Sequence, residues 1–312
     1  MTINVLFAAG SERFDLYRPH LEQGLADAGI VANLTTDAAP DQVDYIVYAP
    51  DSALRDFTPY TRCKAVLNLW AGVEGIVGND TLTQPLARMV DHGLTQGMVE
   101  WVTGHTLRHH LGMDIHIHGQ DGHWRSAIPA PPLAAERSVT ILGLGALGAA
   151  CAKALVGLGF NVSGWSNSPK TIDSVTCYHG SDQLADALHG AEIVILLLPA
   201  TPQTENTLNA ETLSYLARGA CIINPGRGPL IDDAALLAAL DSGQVGHATL
   251  DVFRVEPLPA NDPYWAHPNV TVVPHKASET RPHTAAQVIV ENIRRGQSGL
   301  PFLHLVNRTA GY

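Results

Sequence analysis

The sequence has little positive charge. Its 312 residues include 19 lysines and arginines against 30 aspartates and glutamates, which leaves a formal net charge of -11 at pH 7. Proteins that bind nucleic acid or an anionic membrane surface need clustered Lys and Arg. The charge balance therefore argues against both functions, and any anionic ligand of this chain must meet a local group of positive charges.

Long apolar runs are also missing. The longest, "AEIVILLLPA", falls well short of the roughly 20 residues that cross a bilayer and is typical of a buried strand. The opening "MTINVLFAAG" has no basic start and no cleavage signature, so it predicts a first strand rather than a signal peptide. We expect a cytoplasmic protein without a membrane partner.

Metal-ligand spacing is absent as well. The four cysteines are widely scattered in apolar segments, which predicts reduced and mostly buried thiols. The segment "RHHLGMDIHIHGQDGHW" is rich in histidine, but no Cys or carboxylate pattern completes a site around it. We interpret it as the polar face of a helix and the loop after it, and we predict no metal. The residues concerned are Cys63, Cys151, Cys177, Cys221, His109, His110, His116, His118 and His123.

What the sequence does contain is a repeated alternation of strands and helices. "NVLFAA", "VDYIVYA", "CKAVLNL" and "LARMV" predict strands of a first lobe, and a second alternation runs from "VTILG" to "VTVVP" after a Pro-rich connection. This rhythm predicts an α/β protein with two doubly wound parallel-sheet lobes and a cleft between them. We expect a flavodoxin-like substrate-binding domain at 1–97 and 284–312 and a Rossmann dinucleotide-binding domain at 98–283.

The strongest local motif is "GLGALG", directly after the strand "VTIL" and directly before an apolar helix. Gly143, Gly145 and Gly148 form the pattern G-x-G-x-x-G, in which the glycines permit a tight turn, close approach of a pyrophosphate and close packing of helix on strand. The free N–H groups at the start of the helix would face the phosphates. The motif predicts a dinucleotide site.

An acidic residue is missing where such a site commonly binds the adenosine ribose of NAD. The next strand ends in "GWSNSPK", so Ser166, Asn167, Ser168 and Lys170 stand at that position. Hydroxyl and amide groups can donate to a 2′-phosphate and a lysine adds charge, whereas an acid would repel it. The segment favours NADP, and the alternative is an ordinary polar turn with Lys170 in solvent.

Three polar residues follow successive strands of the second lobe. Arg227 follows "CIINP", Glu256 follows "HATLDV" and His275 follows "VTVVP". Ligands of open α/β sheets bind at the carboxyl ends of the strands. Hydride delivery to a 2-oxo acid requires a cation for the carboxylate and the developing oxyanion, and an acid that supplies a proton. Arg227 and His275 suit these roles, and Glu256 would orient the imidazole.

Together these segments resemble the D-2-hydroxyacid dehydrogenase family, and more closely its glyoxylate/hydroxypyruvate reductase A branch. The resemblance covers nearly the whole chain. It rests on "GLGALG", "LLPATPQTENTLN", "INPGRGPLIDDAALLAALDSGQVGHATLDVF", "EPLPANDPYWAHPNVTVVPH", the "TRP" at 280–282 and the closing "GY". It implies that Arg227, Glu256 and His275 are the catalytic residues.

The resemblance also implies binding residues. The loop "NLWAGVEGI" would hold the substrate carboxylate through its backbone, together with Arg227 and His275, and Asp251 would contact the nicotinamide carboxamide. Trp124 resembles a tryptophan that some relatives send across a homodimer interface; the alternative is an aromatic residue without substrate contact. The expected substrate-binding loop residues are Trp70, Ala71, Gly72 and Val73. The expected cofactor-binding residues are Gly143, Gly145, Ala146, Leu147, Gly148, Trp165, Ser166, Asn167, Ser168, Lys170, Leu198, Pro199, Pro225, Gly226 and Asp251.

The predicted reaction is NADPH-dependent reduction of a small 2-oxo acid, glyoxylate or hydroxypyruvate, to the 2-hydroxy acid by a homodimeric enzyme. One alternative is an NAD-dependent dehydrogenase for a bulkier 2-hydroxy acid. Another is a catalytically silent protein that senses NADP(H) on the same fold. Two departures from the family pattern bear on this choice: Lys276 follows the predicted catalytic histidine, and Asn167 stands where the branch commonly has an arginine.

Overall fold

The computed structural model describes residues 2–311, and Tyr312, the last residue of the "GY" motif, lies outside the described residues. The chain divides into two compact units. Unit 1 comprises the residues up to Leu94 and from Glu279 onward, and unit 2 comprises Thr95–Ser278. The sequence predicted 1–97 with 284–312 and 98–283. The assignment of substrate binding to unit 1 remains a prediction.

In the described residues, unit 1 contains a five-stranded sheet in the order β2-β1-β3-β4-β5, and every pairing is parallel. This is the flavodoxin-like order. The strands are β1 (Ile3–Ala8), β2 (Ala32–Thr35), β3 (Tyr45–Tyr48), β4 (Ala65–Asn68) and β5 (Leu86–Ala87), and helix α1 spans Ser11–Asp27.

Both faces of this sheet are buried, because successive strand residues point to opposite sides and both sets are apolar. In β3, Tyr45 and Val47 pack into one core, whereas Ile46 and Tyr48 pack into the other. This explains why the central strands are continuous apolar runs in the sequence.

Unit 2 begins within α2 (His92–His110), since the boundary between the units falls inside this helix. Its described residues form a seven-stranded parallel sheet in the order β12-β11-β10-β9-β6-β7-β8. The order reverses between β6 and β9, which makes their carboxyl ends the expected ligand site. The strands are β6 (Ser138–Leu142), β7 (Asn161–Ser166), β8 (Thr176–His179), β9 (Ile193–Leu196), β10 (Ala220–Asn224), β11 (Val245–Leu250) and β12 (Val270–Val272).

Helices connect these strands. They are α3 (Asp114–His118), α4 (Ala146–Gly157), α5 (Leu184–Leu188), α6 (Ala210–Ser214) and α7 (Asp233–Asp241), and α8 (Pro282–Gln297) belongs to unit 1. The predicted α/β class with two parallel sheets is confirmed. None of the helices in the described chain is long and apolar enough to span a bilayer.

Two strands were not predicted from the sequence. Residues of β2 and β8 are exposed or half-buried, and both strands pair with only one neighbour at a sheet edge. An edge strand with polar positions lacks the continuous apolar signal of a central strand, which is why neither was recognised.

Candidate active site

The glycine motif forms the turn between β6 and α4. Gly143 has a φ of 110°, and a Cβ on it would lie 2.5 Å from the carbonyl oxygen of Leu197. A Cβ on Gly148 would lie 1.8 Å from the carbonyl oxygen of Gly143. Packing within the protein therefore requires glycine at both positions.

Gly145 differs from the other two glycines. A Cβ there would meet no described heavy atom within 4 Å, so protein packing does not explain this glycine. In the part of the chain that the structure describes, the N–H groups of Gly145, Ala146 and Leu147 donate to no protein acceptor. Unsatisfied N–H groups at the start of a helix attract anions. The motif thus fits the pyrophosphate of a dinucleotide.

The polar turn after β7 has one buried and several exposed members. Ser166 is 7% exposed and its hydroxyl donates to the carbonyl oxygen of Ser168 at 2.8 Å, so this hydroxyl holds the turn itself. The Nε1–H of Trp165 donates to the carbonyl oxygen of Gly180 at 2.7 Å. Asn167, Ser168 and Lys170 are exposed.

A surface pocket beside this turn is lined by a lysine that was not predicted from the sequence. Lys153 of α4 lines it together with Lys170, and Asp173 is the acidic residue in its wall. Lys153 was missed because its helix position becomes a neighbour of the turn only in the folded chain. The remaining lining residues are Leu144, Ala149, Thr171 and Ile172.

The other predicted cofactor-binding residues also follow strands of the same sheet. Leu198 and Pro199 come after β9, and Pro225 and Gly226 come after β10. A Cβ on Gly226 would lie 2.7 Å from the carbonyl oxygen of Leu196, so these two strand ends are in contact. Since β9 and β6 flank the point where the strand order reverses, these residues stand next to the glycine motif in the sheet.

His275 and Glu256 form a direct pair. Nδ1 of His275 lies 2.7 Å from Oε2 of Glu256, and the backbone N–H of Phe253 donates to Oε1 of Glu256 at 2.9 Å. An ionised carboxylate only accepts, so Nδ1 carries the hydrogen in this pair. Among the described residues, Nε2 of His275 has no hydrogen-bond partner, and the side chain is 53% exposed. A ring nitrogen is thereby available to a ligand.

The backbone of His275 adopts an uncommon conformation that Asp251 supports. Its φ is 55°, in the left-handed region that non-glycine residues rarely occupy. The N–H of His275 donates to the carbonyl oxygen of Asp251 at 2.8 Å. The carboxylate of Asp251 accepts from the N–H groups of Lys276 and Ala277 at 2.6 and 3.0 Å. Asp251 is 1% exposed, and burial raises its pKa. The contact of Asp251 with nicotinamide remains a prediction, whereas its hydrogen bonds to the turn are present in the structure.

Arg227 lies half-buried directly after β10. The side-chain amide of Asn224 donates to the carbonyl oxygen of Arg227 at 3.0 Å, which fixes the backbone at this position. A Cβ on the next residue, Gly228, would lie 2.0 Å from the carbonyl carbon of Phe253. The segment with Arg227 is therefore packed directly against the segment that leads to Glu256.

The loop predicted to bind a carboxylate follows β4 in unit 1. The buried amide of Asn68 donates to the carbonyl oxygens of Trp70 and Gly72 at 2.9 and 3.1 Å, and Met89 donates to that of Trp70 at 3.0 Å. Within residues 2–311, the N–H groups of 70–73 donate to no protein acceptor. The carbonyls are thus held inward, while successive N–H groups remain available to an anion. Asn68 was not singled out from the sequence, since it acts only through this backbone.

The histidine-rich segment differs from its interpretation as a polar face. Within the segment, His110 is 6% exposed, and burial lowers the pKa of His109 to about 3. Burial also lowers the pKa of His105, which precedes the segment in α2, to about 4. His109 Nε2 lies 2.9 Å from the hydroxyl of Thr249. His116 and His118 are exposed on α3. Among the described residues no group of metal ligands occurs.

Comparison with known proteins identifies the family. Residues 105–277 match the model of the D-isomer specific 2-hydroxyacid dehydrogenase NAD-binding domain. Glyoxylate/hydroxypyruvate reductase A of Serratia proteamaculans is 40% identical over 260 residues, which cover 80% of this chain and 82% of that protein.

Solved structures agree with this match. A D-isomer specific 2-hydroxyacid dehydrogenase from Xanthobacter autotrophicus Py2, in complex with NADPH and MES, has a TM-score of 0.93 at 39% identity over 100% of both chains. An NADPH-dependent glyoxylate/hydroxypyruvate reductase from Sinorhizobium meliloti, in complex with NADP and sulfate, has a TM-score of 0.84 at 32% identity, covering 100% of this chain and 99% of that one.

The chain therefore belongs to the D-isomer specific 2-hydroxyacid dehydrogenase family. It is an oxidoreductase and a homologue of glyoxylate/hydroxypyruvate reductase A, which confirms the resemblance found in the sequence.

Proposed function

We propose that the protein reduces a small 2-oxo acid, glyoxylate or hydroxypyruvate, to the corresponding 2-hydroxy acid with NADPH, and that His275 is the proton donor. The observation that carries this proposal is the 2.7 Å contact between His275 Nδ1 and Glu256, which leaves Nε2 available. When bound, the nicotinamide would supply the hydride to C2 of the oxo acid. The relatives named glyoxylate/hydroxypyruvate reductase support the substrate class.

Three side chains of unit 2 and a loop of unit 1 have separate roles towards the substrate in this proposal. Nε2–H of His275 donates a proton to the carbonyl oxygen as it becomes an alkoxide. Glu256 accepts from Nδ1, which fixes the ring orientation and stabilises the protonated imidazole, and its other oxygen is held by Phe253. Arg227 binds the carboxylate and stabilises the developing negative charge. The N–H groups of 70–73 are predicted to bind the same carboxylate.

Preference for NADP over NAD is supported by the turn after β7. It offers exposed Asn167, Ser168 and Lys170 and no carboxylate at the strand end, and Lys153 adds a second ammonium group to the neighbouring pocket. A 2′-phosphate would be attracted by these cations, and a carboxylate at 166 would repel it. Two similar structures are complexes with NADPH or NADP.

A paired cofactor assay tests the proposal. We expect turnover of glyoxylate and hydroxypyruvate with NADPH and at least tenfold lower kcat/KM with NADH, since loss of a charged contact is worth a factor of roughly ten or more. Lys170→Met and Lys153→Met should each raise the KM for NADPH and leave that for NADH unchanged. The matched control is the exposed Lys64→Met in unit 1.

The outcomes separate the rivals. Equal efficiency with both cofactors would contradict the phosphate site and favour the NAD-dependent alternative, which a panel of bulkier 2-oxo acids would then define. NADPH binding without turnover of any 2-oxo acid would favour the silent sensor.

The homodimer remains a prediction. Exposed apolar side chains on 111–124 support it, namely Leu111, Met113, Ile115, Ile117 and Trp124.

A further inference from the structure

Three side chains meet at the carboxyl edge of the sheet in unit 1. Arg13 follows β1, Asp51 follows β3 and Trp70 follows β4, and these three strands are adjacent in the sheet. The guanidinium carbon of Arg13 lies 5.9 Å from the centroid of the Trp70 ring. This distance is within the range of a cation–π contact.

Arg13 is fixed by more than the indole. Its Nη1 and Nη2 donate to the two carboxylate oxygens of Asp51 at 2.8 and 2.7 Å, and Nη1 also donates to the carbonyl oxygen of Ala9 at 2.9 Å. A bidentate pair holds the planar guanidinium in one orientation. The face of the guanidinium that lies over Trp70 is therefore oriented before any ligand binds.

Trp70 is also fixed at its backbone, which opens the loop predicted to bind the substrate carboxylate. Its carbonyl oxygen accepts from Asn68 and Met89, yet the residue as a whole is 39% exposed. Trp70 thus combines a hydrogen-bonded backbone, an indole stacked on Arg13 and solvent exposure beside a loop predicted to bind an anion.

We propose that the indole of Trp70 limits the size of the substrate's side chain, and that Arg13, held by Asp51, is the positioning residue that fixes it. This rests on the proposed reduction of a 2-oxo acid. A fixed aromatic wall admits the hydrogen of glyoxylate or the hydroxymethyl group of hydroxypyruvate and excludes branched chains. Differences of one or a few methylene groups in such a pocket change kcat/KM roughly 10- to 200-fold.

A second stacked arginine in the same helix provides a matched control. The guanidinium carbon of Arg18 lies 5.8 Å from the Phe14 centroid, and Arg18 pairs with Glu22 at 2.7 Å. It has the same chemistry as Arg13 but follows no strand end. If Arg13 only stabilised the helix, Arg18→Met and Arg13→Met would have similar effects.

The experiment compares kcat/KM with NADPH for glyoxylate and for 4-methyl-2-oxopentanoate. The substrate ratio is kcat/KM for the branched acid divided by kcat/KM for glyoxylate. Trp70→Ala should raise this ratio roughly tenfold or more. Arg13→Met and Asp51→Asn should raise it by a smaller factor, because the indole stays but is no longer fixed. Arg18→Met should leave the ratio unchanged, and NADPH titration of each variant verifies folding.

Acrylamide quenching of tryptophan fluorescence gives a readout independent of turnover. Arg13→Met should increase quenching relative to the wild type, and the increase should vanish in a Trp70→Phe background. If the wild type is active but Trp70→Ala and Arg13→Met both keep its substrate ratio, the inference is overturned and the proposed function stays intact. A wild type that binds NADPH but reduces no 2-oxo acid would overturn the proposed function; an absent quenching difference would then overturn the Arg13 clamp as well.

Discussion

The end of β4 in unit 1 and the strand ends of unit 2 present different chemistry. In unit 2 the strand ends are followed by side chains that can carry a proton, among them His275 and Glu256, whose Nδ1 and Oε2 atoms lie 2.7 Å apart. In unit 1 the end of β4 carries a row of backbone N–H groups whose orientation depends on the buried Asn68. Side chains can donate protons, whereas backbone amides can only bind. We therefore expect proton transfer to depend on unit 2, and the N–H groups at the end of β4 to contribute binding alone.

The largest expected effect is that of removing the imidazole. We expect His275→Gln to lower kcat/KM roughly 100- to 10,000-fold, the range for loss of a general acid, while the Kd for NADPH stays unchanged. His179→Gln, an exposed histidine of the same unit, is the control. Steady-state kinetics with a fluorescence titration of NADPH would check this, and substantial activity of His275→Gln would place proton donation elsewhere.

A smaller effect should follow when the loop of unit 1 loses its support. Asn68→Ala removes the donor to two carbonyl oxygens, so the N–H groups lose their orientation. We expect the KM for the oxo acid to rise about tenfold with a smaller change in kcat, and stability to fall by about 1–3 kcal/mol. Asn33→Ala, at an exposed amide, should do neither. An unchanged KM with lower stability would mean that Asn68 is structural alone.

We expect acid to lower the free energy of unfolding of unit 2 more than that of unit 1, with no such loss at neutral pH. The pKa values of His105 and His109, about 4 and about 3 in the fold, lie below the usual 6.5, so the unfolded chain takes up protons that the folded chain does not. Stability is therefore lost as pH falls below 6.5, by up to about tenfold in the unfolding constant per pH unit and histidine. The groups facing these rings are Arg108, Asp114 and His247.

Urea unfolding between pH 7 and pH 5 would measure this loss. In unit 1 burial lowers the pKa of His304, whereas in unit 2 it lowers the pKa of His105, His109, His110 and His247, so unit 1 should respond less. His109→Gln has no titrating ring at this position and should flatten the pH dependence. An equally steep dependence in that variant would contradict the assignment to His109.

The sequence predicted what depends on strand order and missed what depends on tertiary packing. Because parallel strand ends meet at one edge, residues as distant in sequence as Glu256 and His275 were expected together, and the structure has them in contact. Asn68 and Arg13 contact Trp70 through a hydrogen bond and a stacking contact that no local pattern reveals. His109 was assigned to a polar face because hydropathy does not show that its partner, Thr249, lies in the core.

Gly228 shows why tolerance to substitution is a poor guide to chemistry in this molecule. It contributes no functional group, yet any side chain there would collide with the backbone of Phe253 and displace both Arg227 and the segment before Glu256. In a saturation screen scored by growth, position 228 would look as intolerant as position 275. A parallel measurement of protein abundance separates the two, because only the glycine variants would also deplete the folded protein.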